Sequence, residues 1–269
     1  MKKALKIIGI SLGSIITVAL IAVCIAVWFV FTPAKLTPIV KNFAPKVLTC
    51  QAELDTVDLT FFSTFPHFGL RIHNLDLINP MKGAQSDTLA HVEELVATID
   101  VKEYLSNNNI IINGIYMANS RANVYVNADS LANYDIFVTD TTATDTSSAA
   151  LFKKMDISNV EVKNFSATYK DVPAKMDAAV QNIMLDADVA MENEDIATDM
   201  KLTTDAIVFA LTDSTQLEAH IRPLSIQFGG RLDGYNHLNG TLQLESNDVN
   251  ATMGGVKYAD SLRLSAILP

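Results

Sequence analysis

Beyond residue 50 the chain alternates apolar and polar side chains with a period of two, and hardly anywhere with the period of a helix. Successive side chains of a strand point to opposite faces, so this alternation builds strands with one greasy and one wet face. Ala122, Val124, Val126 and Ala128 alternate with Arg121, Asn123, Tyr125 and Asn127. Leu185, Ala187, Val189 and Met191 alternate mostly with Asp186, Asp188 and Glu192, and Met200 and Leu202 sit among Asp199, Lys201 and Thr203. The pattern returns where Leu242 and Leu244 stand beside Gln243 and Glu245, and where Leu262, Leu264 and Ala266 stand beside Arg263 and Ser265. One solvated face is the habit of antiparallel sheet. Turn chemistry predicts reversals at Asn79-Pro80, Asn107 to Asn109, Gly229-Gly230, Asn239-Gly240 and Gly254-Gly255.

One segment supports two readings. Between Ser86 and Leu105, Leu89, Val92, Val96 and Ile99 have helical spacing, with Glu93 and Glu94 toward water. The strand reading uses Leu95, Ala97, Ile99 and Val101, followed by a single helical turn at Lys102 to Leu105. Helices to cover a sheet are scarce under either. Two sheets packed as a sandwich, or one long sheet curled around something that is not protein, both satisfy the alternation.

The head of the chain has different physics. From Ile7 to Phe31 no charged residue occurs. As a helix this stretch spans roughly 37 Å, enough to cross a hydrocarbon core of about 30 Å with some tilt. Trp28 and Phe29 lie where an aromatic belt would sit. A cleaved signal peptide is the competitor, but its apolar region is shorter and ends at a small-residue site. Thr32, Pro33, Ala34 and Lys35 make no convincing cleavage box, and Val23 is too large for a lipoprotein site before Cys24. Six Lys and no acid occur up to Lys46, which leaves 14 basic and 30 acidic side chains beyond it, a net of −16. Lys2, Lys3 and Lys6 precede the apolar run and Lys35, Lys41 and Lys46 follow it, so the flanking charges nearly balance. Their higher density on the short N-terminal side favours a cytoplasmic tail and an exported body. The expected organisation is a tail at 1–6, a transmembrane anchor at 7–31, a juxtamembrane segment at 32–50 and a first β region at 51–139. A flexible loop at 140–150, poor in large apolar residues, leads to a second β region at 151–269.

A search for chemistry finds little. The whole chain carries a net −10, which argues against nucleic-acid binding because phosphate contact needs a basic face. Cys50 is the one thiol beyond the apolar run, so no intrachain disulfide staples the body and no structural zinc site forms from Cys. His67, His73, His91, His220 and His237 lack metal-ligand spacing. Neither a nucleophile elbow nor a Gly-rich phosphate loop is present. The Asp-rich runs match no calcium loop and read as solvated faces. No cofactor is expected, and an enzyme is not.

Three blocks resemble the AsmA family. The first is Asp58 to Pro66 (DLTFFSTFP) running into Phe68 to Leu77 (FGLRIHNLDL). The second runs from Asn113 to Asp135 and ends Asp129-Ser130-Leu131-Ala132-Asn133-Tyr134-Asp135, with Ser130 where the family usually has Gly. The third is Met155 to Asp171 (MDISNVEVKNFSATYKD). Pro66, Asn133, Tyr134 and Asp135 carry the motif most directly.

The resemblance implies a mainly β fold: one transmembrane helix, then an elongated, curved, trough-like antiparallel sheet with few short helices. It also implies a single-pass protein of the bacterial inner membrane, with its body in the periplasm. The implied role is outer-membrane biogenesis or phospholipid handling through an apolar groove. Under that reading Phe61, Phe62, Phe65, Leu70 and Ile72 shape the mouth of the groove and contact lipid; the plainer reading makes them core where the sheet begins. A membrane-tethered scaffold that recruits envelope proteins by strand addition is the alternative.

Overall fold

The computed structural model describes residues 32–60, 64, 68–99, 112–138, 155–192, 195–233 and 237–268. The expected anchor at 7–31, the loop at 140–150 and the turn at Lys102 to Leu105 lie outside these residues. Among the described residues no helix is long and apolar enough to cross a membrane.

Helix α1 (Pro33–Val47) comes first, with Pro33 in its first turn, where a missing N–H costs nothing. The rest is sheet: β1 (Ala52–Glu53), β2 (Thr56–Thr60), β3 (Phe68–Ile78), β4 (Thr88–Ile99), β5 (Ile112–Val126) and β6 (Met155–Asp171) form the first half. The second half is β7 (Met176–Glu192), β8 (Asp195–Thr204), β9 (Ala206–Leu211), β10 (Leu217–Asp233), β11 (His237–Met253) and β12 (Val256–Leu268). The segment with two readings is a strand, because cross-strand pairing to β3 and β5 on both sides outweighs its helical spacing.

All twelve strands belong to one sheet. Sequential hairpins pair antiparallel, and β5 and β6 pair parallel, which joins the two β regions without a seam. β1 and β2 share one line against β3, and β8 and β9 share one line between β7 and β10. Among the described elements, the extensive contacts are those of strands with their ladder neighbours and of α1 with β1 and β2. No described strand or helix lies across either face of the sheet, so the sandwich arrangement is excluded for these residues. The largest cluster of buried side chains is accordingly small: Cys50, Leu89 and Ile136, with Leu48, Leu77 and Ala90 against them.

Two expected reversals are not turns. Gly229 and Gly230 lie inside β10, and Asn239 and Gly240 lie inside β11. Gly230 pairs directly with Gly240. A Cβ on Gly230 would stand 2.7 Å from the Phe228 ring and 2.9 Å from the Gly240 Cα, so the two glycines clear a bed for that ring. Gly254-Gly255 is a turn, with φ of +56° and +77° that only glycine adopts freely. Asn79 also opens one: its Oδ1 accepts from the Met81 N–H at 3.0 Å.

Candidate functional site

Residues paired across a ladder point to the same face, so the strand registers show which side chains form a continuous surface. Val57 and Leu59 of β2 pair with Ile72 and Leu70 of β3, and these with Leu95 and Ala97 of β4. The file passes through Met117 and Ile115 to Val162 and Val160, then Leu185 and Ala187, then Leu202 and Met200. It ends on Ile226 and Phe228 of β10, Leu244 and Leu242 of β11, and Ala266 of β12. Every strand line of the sheet contributes, and each contribution is apolar. From β3 to β11 these side chains are half-buried or buried although no described element covers them. They shield one another.

The opposite face is mostly polar: Asp58 and Arg71 lead through Val96 of β4 and Tyr116 of β5 to Glu161, Asp186, Lys201, Gln227 and Gln243, and Glu94 lies beside Val96 on the same face. His73 reaches Asp58 at 2.7 Å there, Arg71 reaches Glu94 at 2.9 Å, and shallow depressions open among Asp186, Asp188, Asp199 and Lys201. Ion pairs this exposed contribute little to stability. Apart from Val96, which is buried, this face meets water.

The apolar face is longer along the strands than simple alternation allows. In β3 the apolar positions run 70, 72, then 75, 77; in β5 they run 115, 117, then 122, 124; in β6, 160, 162, then 165, 167. Parity slips by one at a residue in the left-handed region: Asn74 (φ 49°), Asn119 (φ 48°), Asn164 (φ 55°) and Asn182 (φ 52°). A left-handed residue re-aims the pleat like a bulge, so the side chains after it return to the face they would otherwise leave. Asn tolerates that conformation better than other residues with a side chain beyond Cβ.

These positions form one row. Asp55 lies opposite Asn74, Asn74 opposite Glu93, Glu93 opposite Asn119, and Asn119 opposite Asn164. After a bulge the row resumes as Asn182, Asp205, Pro223 and Asn247. Side chains link it: Asn74 Nδ2 donates to Asp55 at 2.7 Å, Asn164 Nδ2 to Asn119 at 2.9 Å, and Asn182 Nδ2 to Asp205 at 2.9 Å. Pro223 sits in a central strand because it falls on this crease. Beyond the crease a second, mostly apolar file continues on the same face: Leu75, Val92, the buried Ser120, Phe165 and, past a bulge between β6 and β7, Val180, Ile207, Ile221 and Val249.

Of the residues expected at a groove mouth, Leu70 and Ile72 are in the file beside Val57 and Leu59. Phe61, Phe62 and Phe65, with the motif residue Pro66, lie outside the described residues. Asn133 is fully buried. Its Oδ1 accepts from the Tyr125 N–H at 2.8 Å and its Nδ2 donates to the Asn123 carbonyl at 2.8 Å, where β4 has ended and leaves β5 unpaired. The side-chain amide stands in for a strand. Tyr134 and Asp135 are exposed. The crease went unread because Asn predicts turns; the odd step between apolar positions, three residues in β3 and β6 and five in β5, was its signal.

The two sheet edges differ. At the first, the Val57 N–H donates to Thr37 Oγ1 of α1 at 2.9 Å, and α1 lies along β1 and β2. At the last, β12 pairs with β11 alone among the described residues, and Tyr258 and Ile267 are each 67% exposed. Among the described residues, fold and surface together define a class: a single-layered β-sheet protein with one continuous apolar face. The sequence profile of the AsmA family matches residues 1–211, and the chain belongs to that family. Membership points to an association with the cell envelope. The match ends with β9, yet β10 to β12 carry the apolar file onward in the same register. Comparisons with curated proteins and with solved structures gave no match.

Proposed function

We propose that this protein is anchored in the bacterial inner membrane by residues 7–31 and holds its sheet in the periplasm, where the apolar face carries phospholipid acyl chains in service of outer-membrane biogenesis. The observation that carries the reading is the unbroken apolar file from Leu70 of β3 to Leu244 of β11 with no described layer above it. Burying an acyl chain contributes about 0.8 kcal/mol per CH₂, so such a face needs no fixed polar site to hold one. A curl of the sheet about the file would make it a trough. In this reading the protein performs no bond chemistry, and no cofactor enters.

Native mass spectrometry of the detergent-extracted full chain tests it. Phospholipid retained on the protein is the expected result, and its loss on placing Asp at Leu185 would locate it on the file. A lipid-free protein holding a stretch of foreign polypeptide would overturn the reading. That outcome belongs to the second one, a scaffold that adds a partner's strand to β12, which the exposure of Tyr258, Leu262 and Ile267 favours.

A further inference from the structure

Helix α1 presents two sides. Leu36, Thr37, Val40, Ala44 and Val47 are half-buried, at the spacing of a face laid on β1 and β2. Ile39 and Phe43, one turn apart, are 63% and 56% exposed, and Lys35 and Lys46 flank them with no acid in the helix. Against the C-terminal end of α1 lies the segment that follows β5. The Val138 N–H donates to the Val47 carbonyl at 3.0 Å, and the Thr49 N–H donates to the Ile136 carbonyl at 2.7 Å. Leu48 and Phe137 form a bridge. This segment exposes Leu131, Tyr134, Phe137 and Val138, with Phe137 63% exposed. Asn133 braces it to β5, so these side chains are held out by a buried fastening.

A water-facing surface has no use for large apolar side chains concentrated on a helix and on the loop bonded to its end. α1 starts at Pro33, two residues beyond the uncharged stretch that ends at Phe31. If that stretch spans the bilayer, α1 emerges at the headgroups. A helix there buries apolar side chains below the phosphates while its lysines reach up to them. We infer that Ile39 and Phe43 of α1, together with Leu131, Tyr134, Phe137 and Val138, form a docking surface for the bilayer. It seats the first edge of the sheet on the membrane. The loop also carries Asp129 and Asp135, so its share of the binding is insertion, and the lysines of α1 supply the attraction to anionic lipid. Docking of this kind sets Val57, Leu59, Leu70 and Ile72, where the apolar file begins, beside the lipid surface. The inference rests on residues 7–31 being an anchor.

The chain contains a single Trp, Trp28, within the apolar stretch, which separates the two ideas experimentally. The full-length protein is reconstituted in vesicles of phosphatidylethanolamine and phosphatidylglycerol, with or without brominated phospholipid. Quenching of Trp28 in the wild type reports the anchor. In a Trp28→Phe background, Phe137→Trp and Ile39→Trp each report the docking surface, and Tyr258→Trp on β12 is the water-exposed control. Docking requires blue-shifted emission and loss of half or more of the intensity to brominated lipid at positions 137 and 39, with position 258 unquenched. Quenched Trp28 with water-like, unquenched emission at 137 and 39 overturns the docking and leaves the anchor standing. An unquenched Trp28 overturns the anchor and the docking with it.

Discussion

Asn164 donates its side-chain amide to the Oδ1 of Asn119 at 2.9 Å, across the parallel pairing of β5 and β6, and both residues are left-handed. Each sits where its strand changes parity, and together they hold the crease at the join between the two β regions. A β-branched residue cannot take this conformation without strain of about 1–3 kcal/mol. Asn164→Val is therefore expected to lower stability by about 2 kcal/mol, and Asn164→Gly by well under half of that, because glycine adopts positive φ freely. Urea unfolding followed by circular dichroism compares them. Equal losses for the two variants would refute the strain account.

Asn133 closes two backbone groups of β5 that have no strand beside them. Asn133→Ala leaves the Tyr125 N–H and the Asn123 carbonyl buried without partners, at about 1–3 kcal/mol each. Asn133→Asp keeps the acceptor, loses the donor and buries a charge, so it should be no milder at neutral pH. The midpoint of chemical unfolding for both variants, measured at pH 7, checks this.

Gly240→Ala forces a methyl against the Gly230 Cα at 2.7 Å and toward the Phe228 ring at 3.1 Å. Backbone has nowhere to go inside a sheet, and overpacking of this kind costs about 1–3 kcal/mol. The double variant Phe228→Leu, Gly240→Ala should recover a part of the loss, read as a coupling in thermal unfolding.

The Cys50 thiol is 7% exposed, and burial pushes its pKa above the usual thiol value. The folded protein therefore keeps its proton at a pH where the unfolded chain has lost it. Stability from this group is fully present below the unfolded thiol pKa and falls as pH rises through and beyond it. Wild type should lose more stability between pH 8 and pH 10 than Cys50→Ala does. Native Cys50 should also resist maleimide until urea opens the fold.

Leu185 lies mid-file with no described element over it. Leu185→Asp should strip bound phospholipid from the purified protein while far-UV circular dichroism retains its strand signature. Collapse of the strand signal would mark the position as packed core. Asp186→Leu, on the wet face, should leave the lipid content as it was.

How far the fold was legible follows from the physics of the pleat. Leu185, Ala187 and Val189 alternate against Asp186 and Asp188, so β7 and its faces could be read directly. Asn164 and Asn182 could not, because local preference assigns Asn to turns, whereas here the cross-strand row of polar side chains rewards a left-handed residue in mid-strand. Gly229-Gly230 and Asn239-Gly240 misled for a related reason: Gly230 and Gly240 pair across the β10–β11 ladder and make room there for the Phe228 ring, and a ladder is a non-local fact. Leu70 and Ile72 were recognised as apolar and set at the start of the sheet, but whether they pack as core or line a surface depends on what lies above them.

Alternation, the uncharged run and the family motifs by themselves determined that this chain is a β-sheet protein of the AsmA family with one oily and one wet side to each strand. Each of these is written in the order of neighbouring residues. Tertiary structure alone decided that the described strands form a single layer, that the oily sides meet in one file from Val57 to Ala266, and that α1 and the 131–138 segment gather their exposed apolar side chains at the first edge. Those outcomes depend on register, and register is fixed by hydrogen bonds between residues far apart in the chain.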